Sequence, residues 1–251
     1  MKKIAICFSG HLRNFISNEL PEFTSNVGQL IDSGYQVDCF FSVWDTYNTG
    51  TLRNSSDDYG IVDINELRDQ LKLLNVKSIE IENYNEVKHN FYLKNFHPII
   101  EAERPEIMSS DRILYSTPMF YKMHKCNLLK KNYESEYLME YDIVIRYRAN
   151  IKLINPLTIA PIKPNTIYNQ CPNNNPYPRG LGYTHESLMT FDMFFYTTSP
   201  TMDVICNLYS NLATIITNHG STGPERILYD WCFLENKLNQ ETTINQISYA
   251  S

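Results

Sequence analysis

Two nearly unbroken apolar runs constrain this chain most: residues 4–8 (Ile-Ala-Ile-Cys-Phe) and residues 37–44, where Asp38 is the one charge. Strands that are apolar on both sides must be covered on both faces, as in a parallel sheet packed between helices. Between the runs, Phe23, Val27, Leu30 and Ile31 recur at helical spacing behind Pro21, so a helix joins the two strands.

The alternation continues along the chain. Residues 45–59, rich in Asn, Ser, Thr and Asp, read as a loop. Leu67, Leu71 and Leu74 mark a helix, and residues 78–81 a short strand. Residues 84–112 carry mixed signals that fix no element. Thr117 as a cap and Pro118 in the first turn predict a helix running to about Tyr133. A strand at residues 143–145, a Pro-punctuated link at 155–164 and a strand at 166–169 follow. Residues 171–182 form a long irregular loop, and residues 191–197 an apolar strand. Pro200 opens a helix striped by Met202, Ile205, Tyr209, Leu212 and Ile216. Thr222-Gly223-Pro224-Glu225 has capping-box spacing and opens a last helix striped by Ile227, Trp231, Leu234 and Leu238. No linker divides the chain. The expectation is one α/β domain over residues 1–251, Rossmann-like, with a mostly parallel central sheet and helices on both faces.

A formal charge of −6 argues against a general nucleic-acid binder, so any anion site must be local. The six cysteines form no CxxC pair and read as buried, reduced thiols rather than a disulfide frame or zinc site. The first apolar run is too short for a signal-peptide core, and no run nears the ~20 residues of a membrane span. A cytoplasmic protein is expected, with peripheral membrane contact left open.

The chemistry concentrates at Tyr141-Asp142-Ile143-Val144-Ile145-Arg146-Tyr147-Arg148-Ala149-Asn150. Alternate strand positions share a face, so Arg146 and Arg148 emerge together at a strand's carboxyl end. Open α/β sheets bind ligands at that edge. Two neighbouring guanidiniums repel unless surface acids or a bound anion lie with them, and their planar forks suit phosphate. Ser9-Gly10-His11-Leu12-Arg13 reaches the same edge: Gly10 permits close backbone approach, and Arg13, ahead of His11, is a candidate phosphate contact. Trp44-Asp45 offers an aromatic for a base and an acid for a ribose. A simple turn and a partly buried Trp are the plainer readings of these two loops, and neither holds a GxGxxG or P-loop pattern. Lys122 and Lys125 share a helix face, by default a solvated one. Asp192 heads an apolar strand and is a candidate base or ligand for sugar hydroxyls. Glu225 is more simply a cap. Adjacent His185 and Glu186 fall on different faces, and His89, His97, His124 and His219 lack metal-ligand spacing.

Taken in order, these motifs resemble a family of bacterial and viral glycosyltransferases often encoded with surface-polysaccharide genes. Residues 9–13 are similar to its Ser-Gly-Gln-x-Arg opening, and Trp44-Asp45 to a Trp-Asp-like strand end. Met119-Phe120-Tyr121 with Lys125 and Asn127 resembles its helix. Residues 142–150 resemble Asp-Val-Val-Ile-Arg-x-Arg-x-Asp, Asp192-Met193-Phe194-Phe195 an Asp-led aromatic strand, and Pro224-Glu225 a helix opening. The resemblance implies a GT-A-like fold, a nucleotide-sugar donor and glycosyl transfer to a carbohydrate acceptor. On this reading Ser9, Gly10, His11, Arg13, Trp44, Asp45, Lys125, Arg146 and Asn150 bind the donor. Arg148, with Arg13 and Lys125, neutralises the departing diphosphate, and Asp192 activates the acceptor. Two departures matter: His11 stands where the family has Gln, and Asn150 where it has an acid. GT-A enzymes commonly hold a divalent metal with Asp-x-Asp, whereas Arg148-Ala149-Asn150 supplies neither carboxylate. A neutral amide is a poor ligand for a hard cation, so manganese or magnesium is disfavoured and no cofactor is assigned. The alternative is a nucleotide- or carbohydrate-binding protein of the same fold that has lost catalysis.

Overall fold

The structure, a computed structural model, describes residues 1–47, 60–91, 97–107, 111–149, 151–153, 156–169, 192–242 and 247–249. Its elements are β1 (Lys2–Gly10), α1 (Leu20–Asp32), β2 (Tyr35–Trp44), α2 (Ile64–Gln70), β3 (Val76–Glu82), α3 (Tyr84–Phe91), α4 (His97–Glu103), α5 (Asp111–Glu136) and β4 (Ile143–Tyr147). Then come β5 (Ile151–Leu153), β6 (Thr166–Asn169), β7 (Phe194–Thr197), α6 (Ser199–Cys206), α7 (Leu212–His219), α8 (Pro224–Tyr229), β8 (Asn239–Thr242) and β9 (Ile247–Tyr249). Seven strands form a mixed, mostly parallel sheet in the order β3-β2-β1-β4-β7-β6-β8, and β5 pairs with β9 apart from it. The pairs β1–β2, β1–β4, β2–β3 and β6–β8 are parallel. Strand β7 runs antiparallel to both β4 and β6.

Alternation in β1 sets the layers. Ile4, Ile6 and Phe8 enter one core with Phe23, Val27 and Leu30 of α1. Ala5 and Cys7 enter the other with Phe120, Met123 and Cys126 of α5. Each large apolar side chain so buried contributes about 1.5–3 kcal/mol, which is why a two-sided apolar run forces helices onto both faces. Phe8 stacks on Phe41 at 4.5 Å and meets Phe23 edge-on, tying β1, β2 and α1 together.

Several local expectations are corrected. The long helix does not begin at Thr117 and Pro118; it begins at Asp111 and carries Pro118 inside it. An internal proline leaves one carbonyl without its helical donor, at about 3 kcal/mol. Burial of Phe120 and Tyr121 beside it offsets that cost. The helix expected from Pro200 is interrupted: α6 ends at a cap on Asn207, a 3-10 turn spans Tyr209–Asn211, and α7 resumes. All five stripe residues are nevertheless buried. No capping box forms at Thr222, because Gly223 is the N-cap and no side chain caps it. Beyond α8 the chain widens into a π-helical turn, Asp230–Glu235, and Leu234 falls off the stripe into solvent.

Among the described residues no helix is long and apolar enough to cross a membrane. Cys7, Cys39, Cys126, Cys206 and Cys232 are free, buried thiols. Asn150, Cys171, His185, Glu186, Phe191 and most of the two long loops expected from the sequence lie outside the described residues.

Candidate functional site

Strand order reverses at β1: β2 and β3 lie on one side of it and β4 on the other. Such a switch point opens a crevice at the carboxyl ends of the strands. Here it lies between Ser9-Gly10 and the end of β4, because β1 pairs with β4 up to Phe8↔Tyr147. Gly10 leaves the strand at φ +108, a conformation that L side chains resist, and Arg13 sits at φ 49 in the left-handed region. The Arg13 amide donates to the Tyr47 carbonyl at 3.0 Å, which pins this strained turn against the end of β2.

Arg146 shares a sheet face with Val144 and lies at 1% exposure. Its Nη1 donates to the carbonyls of Tyr147 at 2.8 Å and Ser9 at 3.4 Å, bridging the two walls of the crevice. Nε and Nη2 have no partner among the described residues, nor has the buried Ser9 hydroxyl. Burial, then Arg148, lowers the Arg146 pKa to about 10, so the guanidinium stays charged at neutral pH. Arg146 is therefore a charge behind the crevice rather than the surface donor contact expected from the strand.

Arg148 follows the strand end, with its amide donating to the Met193 carbonyl at 3.0 Å. Its Nη1 meets Asp192 Oδ2 at 3.2 Å, with side-chain exposures of 28% and 4%. The two residues expected to act in catalysis are thus an ion pair. Antiparallel β7 brings them together, since Tyr147 pairs with Phe194. Arg13 is half-buried; burial and Arg148 lower its pKa to about 10. The crevice therefore gathers three guanidiniums and one carboxylate that is already engaged.

His11 is placed at this edge but not as a phosphate donor. Its Nδ1 lies 2.9 Å from the Thr46 carbonyl, an acceptor only, so Nδ1 carries the proton. Burial, with Arg13 and Arg148 adding, outweighs that hydrogen bond and lowers the pKa to about 4. The ring is neutral at pH 7, and Nε2 holds a lone pair with no partner among the described residues.

Trp44, Asp45 and Lys125, expected to bind a donor, are engaged within the fold. The Trp44 indole is 1% exposed, stacked on Tyr121 at 5.9 Å with the Lys122 ammonium 4.4 Å above it, so it presents no face to a base. Asp45 spends its carboxylate at the start of α3, accepting from the Tyr84 amide at 2.9 Å and from Asn83 Nδ2 at 2.8 Å. Lys125 is paired with Glu80 at 2.9 Å. Lys122 is not solvated but fully buried, 2.7 Å from Glu82. Glu80 and Glu82, alternating along β3, attracted no notice in the sequence; an acid every second residue on a strand was the signal that two lysines would be consumed there.

Among the described residues no three His, Cys, Asp or Glu side chains gather as metal ligands. At the crevice a divalent cation would meet three guanidiniums and one ion-paired carboxylate, a donor set that does not fit it. What the arrangement can do is hold an anion. Comparison with protein-family models and with curated proteins found no match to this chain.

Proposed function

We propose that this chain is a glycosyltransferase of GT-A-like architecture. It binds a nucleotide-sugar donor across the β1/β4 crevice and passes the sugar to a carbohydrate acceptor. One observation carries the reading: Arg146 is a buried charge with no carboxylate hydrogen-bonded to it, behind Arg148 and Arg13, and Asp192, the acid that acts on it, is already paired with Arg148. An anion ~6 Å from a guanidinium gains about 3 kcal/mol at an effective dielectric of ~20, so a diphosphate supplies the missing counter-charge. The free, buried thiols fit a reducing, cytoplasmic setting.

The chemistry then runs as follows. The bond from the anomeric carbon to the diphosphate oxygen breaks, and Arg148 and Arg13 receive the charge left on the diphosphate. The acceptor oxygen forms the new bond and gives its proton to Asp192, once Arg148 has exchanged that carboxylate for phosphate. The second reading, a nucleotide- or carbohydrate-binding protein without catalysis, is favoured by the existing Arg148–Asp192 pair, which occupies the carboxylate a base would need.

Thermal shift across UDP-, GDP- and CMP-sugars, with manganese or chelator, followed by donor-hydrolysis assays, tests the proposal. Stabilisation by a nucleotide sugar in the presence of chelator, with sugar released or transferred, is expected. Binding without turnover over a broad acceptor panel selects the second reading. Absence of any nucleotide-diphosphate binding overturns the proposal and the nucleotide-binding form of the second reading.

A further inference from the structure

The geometry at His11 asks for a proton donor that no described residue provides. The Thr46 carbonyl fixes the proton on Nδ1, and Tyr84 meets the ring edge-on at 4.9 Å, so tautomer and orientation are both set. That leaves Nε2 as a buried lone pair with no partner among the described residues. An unprotonated phosphate oxygen cannot fill the position, because two lone pairs would face each other. A hydroxyl can, by donating its hydrogen. His11 and Arg13 lie two residues apart in one turn, held by the adjacent carbonyls of Thr46 and Tyr47, and the charges of Arg13 and Arg148 both act on the imidazole, so the vacant acceptor lies by the anion contacts.

We propose that His11 Nε2 accepts a hydrogen bond from a ligand hydroxyl, so that the crevice selects sugar-bearing phosphates over bare ones. The proposal rests on the anion site described above and adds its specificity element. Arginines alone hold any phosphate of the right size. A site built to receive one hydroxyl penalises ligands that lack it, since the buried acceptor is then left unpaired.

The test compares the intact protein with His11→Phe, which keeps a ring but removes the acceptor, and with His11→Gln, whose amide oxygen can restore it. The probes are inorganic pyrophosphate, UDP, GDP, ADP, CDP, UDP-glucose and GDP-mannose, measured by calorimetry. His11→Phe is expected to weaken the sugar-bearing ligands that bind the intact protein ~3- to 10-fold and to leave pyrophosphate unchanged, with recovery in His11→Gln. Equal weakening of pyrophosphate overturns the proposal, because His11 would then be an anion contact or a structural residue. No change for any ligand overturns it too, because Nε2 would be served by an internal water. Thermal melts identify a variant that fails to fold; His11→Ala then takes the place of His11→Phe. Failure of pyrophosphate and every nucleotide to bind the intact protein would refute the anion site itself, whereas pyrophosphate binding blind to His11 would refute this inference alone.

Discussion

Arg148 and Asp192, 44 positions apart, form an ion pair at 3.2 Å across the junction of β4 and β7. The guanidinium remains 28% exposed while the carboxylate is 4% exposed, so an incoming anion meets the arginine first and competes with the aspartate for it. The two partners should therefore move affinity in opposite directions. Arg148→Ala is expected to weaken pyrophosphate binding roughly 10- to 100-fold, the loss of a charge-assisted contact. Asp192→Asn removes a competing negative charge and should tighten binding about fivefold, while abolishing any sugar transfer. Calorimetry with a parallel transfer assay separates these effects. Weaker binding in Asp192→Asn would mean that the aspartate only positions the arginine.

Arg146 tests whether its charge serves the fold or a ligand. Its Nη1 contacts to Ser9 and Tyr147 are a gain, but burying the guanidinium with no carboxylate hydrogen-bonded to it is a cost that the more distant Asp192 offsets only in part. Replacing a buried charge with an apolar side chain of similar length is often neutral or stabilising. Arg146→Met should therefore lie within about 1 kcal/mol of the parent in denaturant unfolding. The stabilisation that pyrophosphate gives the parent should disappear in the variant. A large loss of stability with ligand response intact would assign Arg146 to the fold.

His11 gives the chain a pH signature whose sign is fixed. Its pKa falls from 6.5 in the unfolded chain to about 4 in the fold, chiefly through burial. Between those values the unfolded state binds the extra proton, so stability is complete above pH 6.5 and declines as pH falls towards 4. The largest single-site contribution is about 3 kcal/mol. Carboxylates and His124 titrate as well, so the measurement is the difference between the parent and His11→Gln in unfolding free energy from pH 7 to 4. The parent should lose more stability over that window; parallel curves would place the His11 ring in water.

Much of the fold could be read from single segments. The runs at 4–8 and 37–44 became β1 and β2 because two-sided apolarity has few other uses, and residues 166–169 became β6 without adjustment. What escaped was decided between segments. Pro118 looks like a helix start only if the residues before it are not helical, and α5 extends through it because its neighbours are buried. The short strands β5, β8 and β9 carry too few residues to show a period. Arg13, Arg146, Arg148 and Asp192 were each visible as residue types, and alternation put Arg146 on one face with Val144 but did not show that it is buried. Their pairing was not visible, because it depends on β7 running antiparallel. Lys125 and Trp44 misled for the same reason: the acids and rings that engage them come from β3 and α3.

The cluster around Glu82 provides the control that separates fold from site. Glu82 accepts from Lys122 Nζ at 2.7 Å and from the Tyr121 hydroxyl at 2.7 Å, and the ammonium rests over Trp44. Lys122 has no solvent exposure, so removing the Glu82 charge strands a buried cation. Glu82→Gln is expected to cost about 2 kcal/mol, less than for a fully buried pair because Glu82 retains 22% exposure. Lys125→Ala removes only a partly exposed partner of Glu80 and should cost under about 1 kcal/mol. Neither change touches the guanidiniums at the β1/β4 crevice, so pyrophosphate affinity should stay within about twofold of the parent in both. A marked loss of affinity in Lys125→Ala would return that lysine to the anion site and show that ligand binding breaks its pair with Glu80.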